Sequence, residues 1–523
     1  MRSSIVMSIA TFASRILGLV REQVMAMTFG ASHLTDAFLV AYRIPNLLRD
    51  LLAEGAFSAS FVPVFTEVKI KGGDNAAREL LYSIAILLAL ITGIVGVLIF
   101  IFTPEIMGAF APSFKSDPGK FAIAVNLTRW MASYLLCVSI AALFTGVLNS
   151  HKIFFLPSLS PALFNVVMIS FCLLLPTLLE KYGYSPVYCL GMAVMVGGFC
   201  QALMQLPMLF RKGYLPLIPK VIFSATAVRV VKRLGPGLIG FAAGQMNLFV
   251  TTVLASSIIG AVSWLNYAFR LFQFPVGIFG VAVANSHLVH FSYAIKSGDY
   301  ERAQKLIRES YHLILSMLLP ATVLLYVLAS EMTHIIFEHG HFKTFDTIMT
   351  AKALCLYAIG LPGYGIYKLL VPTFYALDRQ RIPTITTLAT VGVNIVLCIW
   401  LTPKFGFQVL AFGTTVTMLL NSLILMEFLQ HYMKLPATFF IGMPVLKYSA
   451  ASLVMGVVTY FAASRFFYFD LSVGLLTKIC QLSMLLGLGG TIYLLAMGCM
   501  GEREVLLFVW EKVKRFRAKL SIF

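Results

Sequence analysis

The chain has 523 residues, 59% of them hydrophobic and only 12% charged, with a mean hydropathy of +0.88. Soluble domains carry about 25% charged residues, so this composition excludes a soluble enzyme or binding domain and implies a polytopic membrane protein. The net charge of +18 raises nucleic acid as a partner, but the cations sit at the ends of apolar runs and in loops. There the positive-inside rule and anionic lipid account for them, so membrane lipid and no nucleic acid is the expectation.

In chain order, apolar runs long enough to span occur near 5–29, 36–66, 81–104, 121–149, 155–179, 185–210, 234–258, 270–294, 311–336, 349–377, 383–402, 407–430, 444–468 and 474–498. That predicts an all-α fold of fourteen transmembrane helices, the first, second and eighth diluted by polar residues. Arg15 and Arg21 interrupt what would be the h-region of a signal peptide, so the first run reads as retained. Assigning alternate connections to opposite sides puts 24 Lys and Arg on one side and 6 on the other, which predicts both termini in the cytoplasm.

The basic loop 211–233 reads as a cytoplasmic linker between two six-helix lobes, 1–210 and 234–432. Glu105 and Glu331, and Pro157 and Pro383, recur at an offset of 226, and Arg43 and Arg270 at 227. A shared offset at separated points argues for a duplication, with parallel repeats related by a pseudo-two-fold along the membrane normal. Helices thirteen and fourteen, within 433–500, fall outside the repeat. The tail 501–523 spaces Leu506, Trp510, Val513 and Phe516 helically with cations between, the pattern of an amphipathic segment on the inner leaflet.

The segment 12–63 is nearly as apolar as the rest, yet it holds Arg15, Arg21, Glu22, Asp36, Arg43, Arg49, Asp50 and Glu54. A helix starting near Ile5 and rising about 1.5 Å per residue carries Arg15 roughly 15 Å into a hydrocarbon layer about 30 Å thick. An arginine there costs about 2.5 to 3.5 kcal/mol, so such residues usually face a polar interior. For any one of these residues, or for Lys368 in the tenth helix, a helix-end anchor or internal salt bridge is a sufficient account. Arginines from both halves, Arg270 included, point instead to an anionic, phosphate-bearing ligand, because the guanidinium fork binds phosphate bidentately. Composition goes no further.

The other chemistry-bearing residues give less. His287 and His290 stand at i, i+3 and could share a metal or relay protons, but no acid lies nearby in sequence; His339 and His341 flank Gly340 in a loop and read as solvated. The eight cysteines all lie in apolar runs without CxxC spacing and read as small lipid- or core-facing residues. No Gly-rich phosphate loop or nucleophile-base constellation occurs, so catalysis is not expected.

Several stretches, FASRILGLVRE, FGASHLTDAF, PNLLRDLLAEGAFSASFVPVF, LNSHKIFFLPSLSPALFN, GPGLIG, VSWLNYAFRLFQFPVGIFGVA, KTFDTIMTAKAL and LLVPTFYALDRQRIP, resemble the MurJ (MviN) lipid II flippases of the multidrug/oligosaccharidyl-lipid/polysaccharide (MOP) exporter superfamily. The resemblance implies a transporter of the bacterial inner membrane that carries undecaprenyl-diphosphate-linked disaccharide-pentapeptide, the peptidoglycan precursor, outward by alternating access. Arg15, Arg21, Arg49 and Arg270 then correspond to substrate-binding arginines of a central cavity, with Glu22, Asp36, Arg43, Glu54 and Lys368 as supporting charges. The two extra helices would hold the prenyl tail. No cofactor is implied, the coupling ion or membrane potential stays open, and a monomer in contact with cell-wall synthesis enzymes is the expected state. Phe269 and Gln273 stand beside Arg270 where family members often carry acids, and His290 stands where a proline is usual. Another MOP exporter of lipid-linked oligosaccharide, or an intramembrane glycan transferase, is the alternative reading.

Overall fold

The computed structural model describes residues 2–53, 56–219, 221–436, 438–467 and 473–502. Glu54 and the basic tail from Arg503 onward therefore lie outside the described residues. Within them the chain is helical and contains no strand. A lipid phase dictates this, because each backbone N–H and C=O must find its partner within the protein.

The helices are α1 (Arg2–Phe29), α2 (His33–Ala53), α3 (Ala56–Ile101), α4 (Thr103–Phe110), α5 (Pro118–Met131), α6 (Tyr134–Ser150), α7 (Phe155–Leu174), α8 (Pro176–Lys181), α9 (Tyr188–Leu203), α10 (Leu206–Arg211) and α11 (Ala225–Ser256). They continue as α12 (Ala261–Pro275), α13 (Val281–Lys296), α14 (Tyr300–Val327), α15 (Ala329–Phe337), α16 (Thr344–Ile359), α17 (Leu361–Ala376), α18 (Arg381–Phe405), α19 (Gln408–Met433), α20 (Met443–Phe466) and α21 (Leu475–Cys499).

Many expected spans are broken rather than continuous. Gly73, at φ +72°, turns the chain inside α3, so the expected loop between the second and third spans is a tight turn. The fourth span is α5 followed by α6, and the eighth is α12 and α13 joined by a π-helical turn at Val276–Gly280, just after Pro275. Proline lacks the N–H that would continue the α ladder, so a change of register there is the natural response. Asp117 and Asp299 start α5 and α14 by accepting from the Lys120 and Arg302 amides, each at 3.0 Å. Among the described residues, ten helical segments are long and apolar enough to cross a membrane, eleven if the α16–α17 pair, bent by 48°, counts once. The sequence expectation was fourteen. α1 and α11, of 28 and 32 residues, also have the length to cross, while α2 holds Asp36, Arg43, Arg49 and Asp50 within 21 residues.

The repeat seen in the sequence reappears in the helix boundaries. α4 starts at 103 and α15 at 329, α5 at 118 and α16 at 344, and α7 at 155 and α18 at 381, each pair 226 residues apart. The matched glutamates and prolines hold the third position of their helices. Neither α20 nor α21 has a counterpart in the first half at this offset.

The chain divides into two compact units, Met1–Ser263 with His339–Lys343, and Trp264–Glu338 with Thr344–Phe523. In the first, α1 packs along α7, α2 on α5 and α6, and α3 on α6. Phe61, Phe65, Leu81, Leu143, Val147 and Tyr214 form a buried core there; between helices in lipid such a core is held by close packing, since lipid tails are as apolar as the side chains. In the second, α13 packs on α17, α14 on α17 and α20, α18 on α19, and α20 on α21.

Candidate functional site

In the first unit the charges of α1 and α2 divide into an arginine cluster and an aspartate cluster. Arg21 is largely buried, with its Nη2 2.5 Å from Glu22 Oε1 and its Nη1 donating to Asn165 Oδ1 on α7 at 3.2 Å. Asn165 is turned by a second bond, from its Nδ2 to the Ser14 carbonyl at 3.2 Å. Arg21 Nε is buried and makes no hydrogen bond among the described residues. Arg49 on α2 lies near enough for its charge to act on Arg21 and on Tyr134, whose ring lies 6.4 Å from that of Tyr42. Arg15, two turns before Arg21, is exposed.

Sequence reasoning missed Asn165, Tyr42 and Tyr134. They are neutral and lie in apolar runs, and only the fold brings them to the arginines. Asn165 stands four residues after Pro161 in SPALFN, where an amide inside a membrane helix is itself a signal.

Asp36 takes a different place from the one expected of it as a companion to the arginines. It is fully buried, accepts from the Gly260 amide at 2.7 Å and from the Ser263 amide and hydroxyl at 3.1 and 2.7 Å, and lies 3.8 Å from Lys120 Nζ. A carboxylate on the first free N–H groups of α12 is the favoured partner of a helix N-terminus. Arg43 bonds the Thr252 hydroxyl on α11, tying α2 to that helix. Glu54 lies outside the described residues.

In the second unit Arg270 is half-buried on α12. Phe269 beside it stacks on Phe272 at 5.4 Å and meets Tyr357 edge-on, so the position where an acid was expected is part of an aromatic core. Lys368 on α17 lies 5.2 Å from the Tyr364 ring centroid, a cation–π contact. His287 and His290 do not share a site. His287 is buried between the Ser310 and Thr373 hydroxyls at 3.0 and 3.1 Å, and His290 is exposed. Among the described residues no group of three or more His, Cys, Asp or Glu is placed to hold a metal.

The arginine cluster can do one thing well. Arg21 is aimed by an acid and an amide, stands beside a second cation, and keeps one buried donor in hand, so an anion entering there meets oriented N–H groups. Glu22 keeps the neighbourhood from being purely cationic.

A duplicated bundle of broken apolar helices holding oriented guanidinium groups defines a polytopic membrane transporter. The sequence profile described as "Lipid II flippase MurJ" matches residues 25–479, and the chain belongs to that family. The lipid II flippase MurJ of Burkholderia cenocepacia is 36% identical over 432 residues, covering 81% of this chain and 82% of that protein. The probable lipid II flippase MurJ of Buchnera aphidicola subsp. Schizaphis graminum is 31% identical over 506 residues, covering 96% and 97%. A solved lipid II flippase MurJ in an inward closed conformation superposes with a TM-score of 0.79 at 26% identity, over 96% of this chain and all of that one. An inward-facing MATE-family multidrug transporter of the MOP superfamily shares the fold, with a TM-score of 0.67 at 13% identity over 82% of this chain and 98% of that one.

Proposed function

We propose that this chain moves lipid II, the undecaprenyl-diphosphate-linked disaccharide-pentapeptide, from the inner to the outer leaflet of the bacterial inner membrane by alternating access. Both termini face the cytoplasm, and the chain works as a monomer near the enzymes that consume the flipped precursor. Arg15, Arg21, Arg49 and Arg270 are the diphosphate-binding groups, and the cavity that takes the substrate is cationic. The observation that carries this reading is the Arg21 guanidinium, oriented by Glu22 and Asn165 with a buried Nε donor left over.

The chemistry follows from desolvation. A diphosphate crossing hydrocarbon faces a large Born penalty unless its charge is met by fixed donors. Arginine meets it without a change of protonation. Release requires that the same donors have another partner, and Glu22 can retake Arg21 as the anion leaves. The membrane potential, or a coupled ion, supplies the direction.

The test is complementation in depleted cells, with lipid II accessible at the outer leaflet as the readout. Arg21→Ala, Arg49→Ala and Arg270→Ala, each present in the membrane at the level of the unaltered chain, are expected to abolish accumulation of outer-leaflet lipid II. Normal accumulation by all three would remove the basis for diphosphate handling by these residues.

A further inference from the structure

α21 has a single charged residue in its 25, Lys478, and that residue is only 5% exposed. An ammonium buried in a helix otherwise built of apolar and small polar residues is strongly unfavourable unless it is paired and hydrogen-bonded. Its Nζ lies 2.8 Å from His334 Nε2 on α15, and His334 Nδ1 lies 2.9 Å from Glu338 Oε2. An ammonium only donates, so Nε2 is the acceptor and the ring proton sits on Nδ1, toward the carboxylate. Glu338 ends the series, accepting from Thr344 Oγ1 at 2.8 Å and from Thr347 Oγ1 at 2.5 Å. Leu328, Ile335, Ala463, Phe467 and Leu485 form a buried apolar cluster beside it, with the Phe467 ring edge-on to His334.

Glu338 and Thr344, which bond each other, are also the two residues that flank His339–Lys343. Those five residues group with the first unit, whereas the chain on either side of them belongs to the second. Within the first unit the segment is shaped for one seat. His341 N–H donates to the Met27 carbonyl at 2.9 Å. Gly340 and Gly30 have φ of +60° and +63°, and a Cβ on either would run into backbone, at the Met27 carbonyl and the His341 carbonyl respectively. A loop with so specific a seat gains from a stem held at a fixed spacing, and Glu338 fixes it.

We propose that Lys478, His334 and Glu338 form a lock on the stem of the 338–344 loop, through which the C-terminal helix pair outside the repeat sets how firmly that loop is held. The lock gives α20 and α21 a role in the transport cycle. A displacement of α21 withdraws the ammonium from His334, the imidazole loses its orientation, and the Glu338 carboxylate is left with its two threonine donors but without the ring beside it. The two stem residues then part more readily and the His341 amide leaves Met27. None of this depends on which substrate the chain carries.

Hydrogen exchange on the purified full chain in phosphatidylethanolamine–phosphatidylglycerol nanodiscs, without substrate, tests the lock. Lys478→Met and Glu338→Gln are expected to speed exchange of the 339–343 amides about tenfold, with the α18 amides unchanged. Lys447→Met, which breaks the pair with Glu502 at 3.0 Å, is expected to leave the loop as it is. Because a single variant strands a buried charge and can destabilise the whole chain, the double variant Lys478→Met/Glu338→Gln, with no net buried charge, is measured alongside. It too should release the loop selectively. Equal loop exchange in the double variant and the unaltered chain overturns the proposal, as does acceleration in Lys447→Met equal to that in Lys478→Met. Since no substrate is added, these outcomes are independent of the lipid II reading.

Discussion

Arg21 Nη1 donates to the side-chain oxygen of Asn165 at 3.2 Å, and the Asn165 amide donates to the Ser14 carbonyl on the same helix as Arg21. Asn165 therefore orients the guanidinium as much as it binds it. A hydrogen bond to a charged group contributes about 1.5–3 kcal/mol. Asn165→Ala is expected to lower outer-leaflet delivery of lipid II about tenfold, about 1.4 kcal/mol. Asn165→Asp keeps the acceptor but sets a second carboxylate against Arg21, so by competition with the diphosphate it should lower delivery at least as far. Equal delivery by both variants and the unaltered chain would assign Asn165 to packing alone.

Glu22 holds Arg21 at 2.5 Å and is itself buried. If the carboxylate competes with the substrate diphosphate for that arginine, Glu22→Gln should bind lipid II more tightly and deliver it more slowly. Affinity of the purified chain and delivery in cells then move in opposite directions. A parallel fall in both would show that Glu22 only supports the helix.

Asp36 and Lys120 form a buried pair at 3.8 Å, with Gly260 and Ser263 completing the carboxylate's partners. Removing one member of such a pair costs about 3–5 kcal/mol, because the other charge is stranded. Asp36→Asn should lower the thermal midpoint sharply, and the double variant Asp36→Asn/Lys120→Met should recover part of the loss. The cycle is expected to give a coupling of about 1–3 kcal/mol, and additive losses would show that the two residues act separately.

His151, in the turn after α6, lies within 3.2 Å of Lys69 Nζ and 2.9 Å from the Tyr214 hydroxyl. Burial first, then the charges of Lys69 and Lys212, hold its pKa below the ordinary 6.5. The folded state thus favours the neutral ring. Its contribution to stability is full above pH 6.5 and is lost as pH falls through the depressed folded value. Thermal midpoints measured downward from pH 7 should decline less steeply in His151→Gln than in the unaltered chain; identical slopes would show that this ring does not govern the pH dependence.

The fold was legible where hydrophobic length decides it. A chain this apolar must pair its backbone internally, so helices and their approximate count follow from composition, and a duplication shows as residues at a common offset. The breaks were not legible. A run such as 121–149 has the same hydropathy whether it is one helix or two, and at the interruption the Ala132 and Leu135 amides still find carbonyls three residues back, each at 3.3 Å.

For the candidate site, the sequence alone determined that cations lie within spanning segments and that their cost in lipid demands a polar role. It singled out Arg15, Arg21, Arg43, Arg49, Arg270 and Lys368 because charge is conspicuous in an apolar run, and the family resemblance narrowed these to Arg15, Arg21, Arg49 and Arg270. Only the tertiary structure decided that Asp36 serves the start of α12 rather than an arginine, and that Asn165 and Tyr134 attend Arg21 and Arg49. It alone joined Lys478 to His334, 144 residues away. Pattern reads one helix at a time, whereas the partner of a buried polar group is chosen by which helices pack together.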